Sequence, residues 1–383
     1  MTVEKVIILV WNIKKRCAMA EVIKIVLTGG PCSGKTTALA YVSERLKEQG
    51  IEVITLEERA TKLILSGKTP QNMGRYEFHK LLFELELAEE KEKTELAKNM
   101  PFDRVVMLFD RGLLDNKAFV TQEEFDRYSS LNGVNEDIIR NSYDAVFHLV
   151  TAADGAESSY NLTNNKARSE SIEQAKKLDE EILSVWTGTP HLRVIDNSTS
   201  FDKKLERLMT EILSFLGIPK HFEIERKFLI EYPDLNVLKS LKTCRKVPIT
   251  QAYLTTPEEG NFRIRKRGEG KNAVYIKTVK IKISDIKRIE IENYISEKEY
   301  NDYLSKKEYI TGVISKDRYC IVWNSSYYEL DVYPFWKDRA TIEIELLSEN
   351  QPYKLPDYVR LIREVTFEQE YRNLALAQRY GKA

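Results

Sequence analysis

Between residues 221 and 346, ionisable and apolar residues alternate repeatedly, and this alternation limits the folds that the chain can adopt. The stretch "HFEIERKF" at the start of this region places Glu223, Glu225 and Lys227 two residues apart, and they alternate with Phe222, Ile224, Arg226 and Phe228. Side chains two residues apart lie on the same face of a β-strand. A strand here would therefore turn charges of both signs to one side and apolar side chains to the other.

Six later stretches repeat this pattern. Their charged positions are Arg263 and Arg265, Lys277, Arg288, Glu290 and Glu292, Lys316 and Arg318, Glu329 and Asp331, and Glu343 and Glu345. The apolar positions that we expect to be buried on the other faces are Ile224, Ile264, Ile276, Ile289, Ile291, Leu330, Ile342 and Ile344. Two architectures satisfy the pattern: a sheet that exposes its charges to water, or a barrel with a charged lumen and an apolar jacket. Buried charges are tolerated where they pair or hold a ligand, and a lumen of both signs suits a triphosphate with Mg²⁺ or Mn²⁺.

A glycine-rich loop follows a short apolar strand near the start of the chain. After the predicted strand Val22–Leu27, "GGPCSGKTT" fits G-x-x-x-x-G-K-[ST] at Gly29, Gly34, Lys35 and Thr36, and a helical segment comes next. Backbone N–H groups of such a loop bind phosphates together with the N-terminus of the following helix, while the lysine reaches the outer phosphates and the threonine hydroxyl binds Mg²⁺. We therefore predict a nucleotide-binding site at this loop.

Further residues of this site are predicted at the ends of later elements. Asp110 ends the apolar strand Val105–Phe109, where an acidic side chain can hold magnesium through water; a helix cap is the alternative role, and Asp115 is a second candidate. The polar segment that contains Lys166 and Arg168 is expected to form a mobile lid, from which Arg168 meets the transferring phosphate. A solvated helix face is the alternative for this segment.

The composition changes near residue 217 and divides the chain. An apolar stripe at helical spacing precedes "GIPK" (217–220), after which tyrosine, isoleucine and alternating charges prevail. A chain of 383 residues suits two domains. We therefore predict an N-terminal extension over residues 1–19, a P-loop domain over 20–217 and a second domain over 218–383.

The totals argue against several classes of protein. Lysine plus arginine equals aspartate plus glutamate at 59 each, so no overall field attracts nucleic acid or an anionic membrane. The four cysteines lack the spacing of a zinc site or a disulfide framework and favour a reducing compartment. The apolar run Val6–Trp11 is too short to span a bilayer. We expect a cytoplasmic protein without a strong nucleic-acid or transmembrane signal.

Residues 20–217 resemble the NadR-like, AAA-type family of nucleotide kinases and ATPases. The resemblance is carried by "TGGPCSGKTT", "LEERATKLI", "FDRG", "NNKARSE" and "VIDN". It implies a three-layer α/β domain with a parallel sheet. It also implies that Glu58, in the second of these stretches, lies near the active site.

Residues 221–383 resemble the CYTH, or triphosphate tunnel metalloenzyme, superfamily. The hallmark E-x-E-x-K is Glu223, Glu225 and Lys227, and "QAYL", R-x-R, a lone lysine, R-x-E-x-E, K-x-R, an aspartate strand, a last E-x-E and "EVTFEQEYRNLALA" follow in family order. The resemblance implies an α+β domain with a closed antiparallel β-barrel. "VTFEQEYRN" is less glycine-rich than in many members, so the closing helix is expected to sit differently. The tandem resembles P-loop–CYTH fusions, which include the TRPL translocation-defect proteins.

The two resemblances imply roles for individual residues. The implied nucleotide-binding residues are Gly29, Gly34, Lys35, Thr36, Thr37, Glu58 and Asp110. The implied triphosphate-binding residues are Lys227, Arg263, Arg265, Lys277, Arg288, Lys316 and Arg318, although an exposed corner is the alternative for the last two. The implied metal ligands are Glu223, Glu225 and Glu345, with Asp331 or Glu343 completing a site. Glu290 and Glu292, which hold a second metal or orient the attacking water, form the implied catalytic set with Lys227 and Arg168.

These features lead to one functional expectation and two alternatives. We expect a metal-dependent triphosphatase that hydrolyses tripolyphosphate or a nucleoside triphosphate, with a first domain that binds ATP or GTP as a kinase or NTPase. The first alternative is a nucleotide-dependent regulatory or trafficking switch whose second domain senses a phosphate ligand, a phosphoinositide or, more weakly, a protein partner. The second is a small-molecule kinase that feeds its product to the tunnel.

Overall fold

The computed structural model describes most of the chain. The described residues are 20–160, 171–218, 224–257, 260–282, 288–347 and 350–381. The predicted extension over 1–19, the predicted lid residue Arg168 and the predicted metal ligand Glu223 lie outside these ranges. None of the described helices is both long enough and apolar enough to cross a membrane.

The first domain is built on a five-stranded parallel sheet. Its strands are β1 (Glu21–Thr28), β2 (Glu52–Leu56), β3 (Arg104–Asp110), β4 (Ala145–Leu149) and β5 (Leu192–Ile195). They lie side by side in the order β2-β3-β1-β4-β5, so the glycine-rich loop leaves the central strand. β1, β3 and β4 read as apolar runs because they are buried on both faces.

Helices cover both faces of this sheet. They are α1 (Lys35–Glu48), α2 (Arg59–Leu65), α3 (Pro70–Met73), α4 (Arg75–Lys98), α5 (Gln122–Leu131), α6 (Glu136–Asn141), α7 (Ile172–Trp186) and α8 (Phe201–Phe215), with 3₁₀ turns at Leu113–Phe119 and Glu157–Ser159. One apolar core holds α1 and α8, including Leu208 and Ile212 of the predicted stripe. A second core lies on the other face and holds Phe83 of α4 and Trp186 of α7. The predicted α/β domain with a parallel sheet is confirmed.

The second domain is a nine-stranded antiparallel sheet. Its strands are β6 (Ile224–Glu231), β7 (Cys244–Thr256), β8 (Gly260–Arg267), β9 (Val274–Lys282), β10 (Arg288–Ile295), β11 (Ile310–Trp323), β12 (Ser326–Val332), β13 (Arg339–Leu346) and β14 (Leu361–Glu364). Their order is β10-β9-β8-β7-β11-β12-β13-β6-β14. Among the described residues, no strand pair joins the two edges, so the antiparallel sheet is established and closure into a barrel stays a prediction.

One face of this sheet is apolar and packs on helices. The helices on this face are α9 (Leu235–Ser240) and α10 (Glu297–Ser305), with 3₁₀ turns at Gly270–Asn272, Lys307–Tyr309 and Gln369–Tyr371 elsewhere in the domain. A third helix, α11 (Asn373–Tyr380), packs on the opposite, charged face, where Lys316 donates to Asn373 at 3.3 Å. Leu330, Ile342 and Ile344 form one buried cluster that includes Leu238 of α9. Ile264 belongs to a second cluster with Tyr300 of α10. At these positions the expected apolar jacket is confirmed.

The expected faces of β9 are reversed. Ile264 pairs with Lys277 and Arg265 pairs with Ile276, so Lys277 lies on the apolar face and Ile276 on the arginine face. The ammonium group of Lys277 reaches the hydroxyl of Tyr303 at 2.8 Å and lies 4.6 Å from the ring centre of Phe262. Aromatic rings can stabilise a lysine whose stem crosses an apolar surface. The prediction that Lys277 shares the face of the arginines is therefore wrong.

The two domains contact each other directly. Arg245 of β7 donates to Glu136 of α6 at 2.5 Å. Tyr327 of β12 donates to the carbonyl oxygen of Thr189 at 3.1 Å. α6 and the segment that follows α7 therefore lie against one end of the strands of the second sheet.

Candidate functional sites

The glycine-rich loop passes too close to its neighbours for side chains at two positions. Gly29 has φ 137°, and a Cβ atom there would lie 2.0 Å from the carbonyl oxygen of Leu149. Gly34 has φ 88°, and a Cβ atom there would lie 2.4 Å from the ring of Phe201. Both positive φ values favour glycine. The two predicted glycines therefore permit the tight path of the loop between β1 and α1.

The polar residues of the loop meet at the end of β3. The ammonium group of Lys35 donates to the carbonyl oxygens of Gly29 at 2.8 Å and Gly30 at 3.0 Å. Thr36 donates to one carboxylate oxygen of Asp110 at 2.8 Å, while Thr37 is exposed in the first turn of α1. The other Asp110 oxygen is buried without a hydrogen-bond partner among the described residues. Hydroxyl and carboxylate oxygens in this arrangement fit a Mg²⁺ ion.

Glu58 lies beside this loop, as the resemblance implied. Its carboxylate accepts from Arg111 at 2.7 Å, and Arg111 also lies 3.3 Å from the carbonyl oxygen of Gly29. Burial alone would raise the pKa of Glu58, but Arg111 and Lys35 lower it to about 2. Burial raises the pKa of Asp110 above its ordinary value, while Lys35 acts in the opposite direction. Of the two carboxylates Glu58 and Asp110, Glu58 is therefore the one that stays charged at neutral pH.

Two supporting residues of the loop were not predicted as site residues. Asp179 of α7 accepts from the backbone N–H of Gly30 at 2.5 Å and lies 3.2 Å from His148. Arg111, which anchors Glu58, has φ 75°. Arg111 directly follows Asp110 in the sequence, so its position next to a predicted site residue could have identified it. Asp179 gives no such signal, because it reaches Gly30 only through the tertiary fold.

The charged face of the second sheet is centred on a buried ion-pair cluster. Asp331 is fully buried, and its two carboxylate oxygens accept from the guanidinium of Arg318, both at 2.7 Å, and from Lys316. Arg318 also donates to Glu329 and, at 3.3 Å, to Glu343. Arg318 and Lys316 hold the pKa of Asp331 well below its ordinary value, although burial acts against them. Lys316 and Arg318 are therefore interior residues rather than parts of an exposed corner.

Asp331 was predicted as a metal ligand, and in this structure it is the centre of an ion-pair cluster. Both of its oxygens are engaged by cationic side chains. A carboxylate in such contacts serves to hold the two cations in place. In this arrangement Asp331 holds Lys316 and Arg318 in place, and its role as a metal ligand stays a prediction.

A second group of carboxylates adjoins this cluster on β6 and β13. Lys227 pairs with Glu343 at 2.6 Å, directly across the two strands, and Glu225 lies opposite Glu345. Burial alone would raise the pKa of Glu343, but Lys227 lowers it. Repulsion from Glu343 raises the pKa of Glu225 to about 8. Because Glu225 itself is exposed, repulsion dominates burial as the cause of this shift.

The carboxylates of this face are held by basic side chains. Glu343 is paired with Lys227 and Arg318, and Glu345 is paired with Arg193 of β5. Within the described ranges, no group of three or more acidic, histidine or cysteine side chains is arranged to hold a metal ion. The donor set is chemically suited to a divalent cation, but its oxygens would have to leave their present partners.

The arginines of β8 lie on the same charged face. Arg263 donates to Thr278 of β9 at 3.1 Å, and the backbone register places Glu292 opposite Thr278 and Glu290 opposite Lys280. For Arg288, Glu290 and Glu292 the structure gives this register alone, so their predicted roles stay predictions. Arg267 was missed, although it continues the two-residue period of Arg263 and Arg265; it donates to the carbonyl oxygen of Gly188 in the first domain. The β8 arginines thus extend the charged face towards β9 and, through Arg267, reach the first domain.

Comparisons with known protein families also divide the chain into two domains. A family model described as an AAA domain matches residues 24–204, and one described as a CYTH domain matches residues 221–371. The chain carries an AAA domain followed by a CYTH domain. The glycine-rich loop with Asp110 belongs to the AAA domain, and the charged sheet face belongs to the CYTH domain.

Solved structures similar to this chain include proteins of two kinds. Crystal structures of "the inorganic triphosphatase NE1496" and "the hypothetical protein NE1496" are 30% and 29% identical to this chain, each covers 41% of it, and each has a TM-score of 0.29. The matches cover 94% and 97% of those chains. A structure of deoxyadenosine kinase from M.mycoides with bound dATP is 19% identical, with coverage of 50% and 98% and a TM-score of 0.34. No significant match was found among curated protein sequences.

Proposed function

We propose that the CYTH domain hydrolyses a short triphosphate with the help of a divalent cation, Mg²⁺ or Mn²⁺. The observation that supports this most directly is the convergence of basic and acidic side chains on one face of the antiparallel sheet. Lys227, Arg263, Lys316 and Arg318 are all buried on that face, which also carries the carboxylates of β6, β12 and β13. Clustered guanidinium and ammonium groups suit the oxygens of several adjacent phosphates.

Curvature of the sheet supports the further proposal that this face lines a closed tunnel. β7 and β6 are separated by three strands, which in a flat sheet would place them about 19 Å apart. Yet the charge of Lys227 on β6 acts on the hydroxyl of Tyr253 on β7, and Tyr253 packs in the same apolar cluster as Leu229 of β6. These contacts support a concave charged face, as a tunnel requires.

The residues of this face divide into two roles. Lys227, Arg263, Arg265 and Arg318 would bind and orient phosphate oxygens. Glu225 and Glu345, with Glu343, would hold the cation, which supplies charge neutralisation to the phosphoanhydride and a lowered pKa for attacking water. Glu290 and Glu292 remain the proposed residues that orient this water.

For the AAA domain we propose binding of ATP or GTP at the glycine-rich loop. Lys35, Thr36 and Asp110 are the residues in contact there, and Glu58 anchors Arg111 against the loop. These contacts are compatible with phosphoryl transfer to a small molecule as well as with hydrolysis. We also propose that the two domains span residues 20–217 and 218–383. A relationship to the TRPL proteins is part of this proposal.

A phosphate-release assay on the full-length protein tests the proposed triphosphatase. Tripolyphosphate and ATP would be supplied with Mg²⁺ or Mn²⁺. Arg263→Ala should weaken tripolyphosphate recognition by about 2–4 kcal/mol, because it removes a charge-assisted donor from a confined site. Lys277→Ala is the matched control, since Lys277 lies on the opposite face of the neighbouring strand, and its kcat/KM should stay within about threefold. Equal losses in the two variants, or no release with either metal, would contradict the proposal.

A sensor without turnover is the second candidate. It is favoured by the ion pairs that hold the described carboxylates away from a metal arrangement. The same assay, run beside calorimetric titration with tripolyphosphate, separates the candidates. Tight binding that depends on Arg263 but is followed by no phosphate release would favour the sensor.

A further inference from the structure

A cleft between the two domains contains none of the residues proposed for either phosphate site. Its volume is about 300 Å³. The AAA domain lines it with the 3₁₀ turn Leu113–Phe119 and with residues of α5, α6 and α7, and the CYTH domain lines it with residues 242, 244 and 245. This volume lies at the small end of the range for sites that bind small molecules. The cleft can therefore hold a small ligand in contact with both domains.

The floor of this cleft is a carboxylate that several cationic side chains share. Glu136 accepts from Lys117 at 2.6 Å and from Arg245 of the CYTH domain at 2.5 Å. Arg140, which does not line the cleft, donates to the same carboxylate at 2.6 Å, and Arg245 also donates to Asp137 at 2.8 Å. Burial, followed by repulsion from Arg245, lowers the pKa of Arg140 to about 10. Three cationic side chains thus share two carboxylates, which leaves an excess of positive charge at the floor.

The basic side chains of the cleft retain unused hydrogen-bond donors. An ammonium group has three N–H donors and a guanidinium group has five. In the contacts of the described residues, Lys117 uses one donor, Arg245 uses two, and Lys242 uses two for carboxylates of α7. The Lys117 side chain is 17% exposed, whereas Lys242 at the rim is 50% exposed and therefore more strongly screened by water and salt. The floor, rather than the rim, therefore determines which ligand charge the cleft favours.

We propose that this cleft binds a small anion that carries a phosphate or carboxylate group. Oxygens of such a group accept charge-assisted hydrogen bonds from ammonium and guanidinium donors. The anion would balance the excess positive charge at the floor and would join Lys117 of the AAA domain to Lys242 and Arg245 of the CYTH domain. Because it contacts both domains, its binding would stabilise the folded protein in proportion to its occupancy.

Calorimetric titration with inorganic phosphate and with citrate tests this anion site. The protein is full-length and carries Lys35→Ala and Arg263→Ala, which weaken the two proposed phosphate sites. Adding Lys117→Gln to this background should raise the dissociation constant of the anion by about tenfold, because it removes a charge-assisted donor. Lys117→Arg keeps the charge and should retain most of the affinity. Lys298→Gln is the matched control, since it removes an exposed lysine paired with Asp302, and it should leave the dissociation constant unchanged.

A substitution at the rim separates anion binding from a purely structural role of Lys117. Glu181→Gln removes a negative charge from the lining, and its pair with Lys242 is exposed, so the fold should survive. The loss of this repulsion should lower the dissociation constant of the anion by about twofold, in the range of an exposed charge pair. Thermal unfolding of each variant without anion would identify any loss of fold.

The two anions distinguish the sources of the ligand group. Binding of phosphate that depends on Lys117 supports a phosphate-bearing ligand, and binding of citrate that depends on Lys117 supports a carboxylate-bearing one. No binding of either anion at millimolar concentration, or the same dissociation constant after Lys117→Gln, would overturn the proposal. If the Lys117 variants fail to fold, Glu181→Gln decides, and unchanged or weaker anion binding in that variant would overturn it.

Discussion

The two proposed phosphate-binding regions of this chain are built in opposite ways. In the AAA domain, Gly29, Gly34, Lys35 and Thr36 are nearly contiguous, and one strand–loop–helix turn brings them together. In the CYTH domain, the basic residues come from β6, β8 and β11 and are brought together by strand register. A local loop can thus be recognised from its motif, whereas a site assembled from a sheet depends on every strand keeping its pairing.

The difference also concerns how charge is handled. Lys35 is buried against the uncharged backbone carbonyl oxygens of Gly29 and Gly30. Arg318 is buried among three carboxylates, which repel one another once it is gone. Removal of one cationic side chain should therefore weaken nucleotide binding at the glycine-rich loop, whereas in the CYTH domain it should lower the free energy of unfolding.

The largest expected effect is the loss of Arg318. Arg318→Ala leaves Asp331, Glu329 and Glu343 without their shared cation, and breaking a buried ion pair in this way costs about 3–5 kcal/mol. Urea unfolding monitored by tryptophan fluorescence would measure the change. Lys298→Ala, which removes an exposed pair with Asp302, should shift stability by less than about 0.5 kcal/mol. Similar small shifts in both variants would show that the cluster does not stabilise the sheet.

The next effect concerns the independence of the two sites. Lys35→Ala should weaken ATP or GTP binding by about 10- to 100-fold, because a charge-assisted hydrogen bond to phosphate contributes roughly 1.5–3 kcal/mol. Tripolyphosphate release by the CYTH domain should stay within about twofold of wild type. Fluorescent-nucleotide binding and phosphate release, measured on the same preparation, give both values. A parallel loss of the two in a folded protein would mean that the regions share one site.

A smaller effect is the pH dependence of metal binding at Glu225. The pKa of this carboxyl is raised to about 8, so it is largely protonated at neutral pH and must lose its proton to hold a cation. Mn²⁺ affinity should therefore rise by up to about tenfold per pH unit as pH approaches 8 and level off above it. Glu225→Gln should remove this dependence. A substitution of Asp110, which belongs to the other site, should leave the pH dependence of Mn²⁺ binding by the CYTH domain unchanged.

The raised pKa of Glu225 also determines whether the stability of the protein rises or falls with pH. A carboxyl whose pKa is higher in the folded than in the unfolded protein binds more protons when folded between the two values. The stabilisation that this carboxyl gives the folded protein is present below its unfolded pKa and is lost as pH rises through 8. Thermal unfolding between pH 5 and 9 should show a fall in stability that Glu225→Gln reduces. A rise over that range that depends on Glu225 would contradict the assignment.

The sequence predicted local features well and non-local features unevenly. Thr36 and Asp110 were each predicted to serve the same magnesium ion, and their side chains meet at 2.8 Å. Lys277 was placed on the wrong face, because alternation along one strand does not give its register with the next. Arg193 gave no signal, since its contact with Glu345 joins two domains. Register and domain packing are thus what the pattern alone could not supply.

The central claim is that the charged face of the CYTH sheet binds triphosphate. The most direct measurement is a crystal structure of the full-length protein with tripolyphosphate and Mn²⁺, with the metal located by anomalous scattering. Our account predicts phosphate oxygens in contact with Lys227, Arg263 and Arg318, and Mn²⁺ beside Glu225 and Glu345. Tripolyphosphate held only at the glycine-rich loop, with the CYTH ion pairs intact, would contradict it.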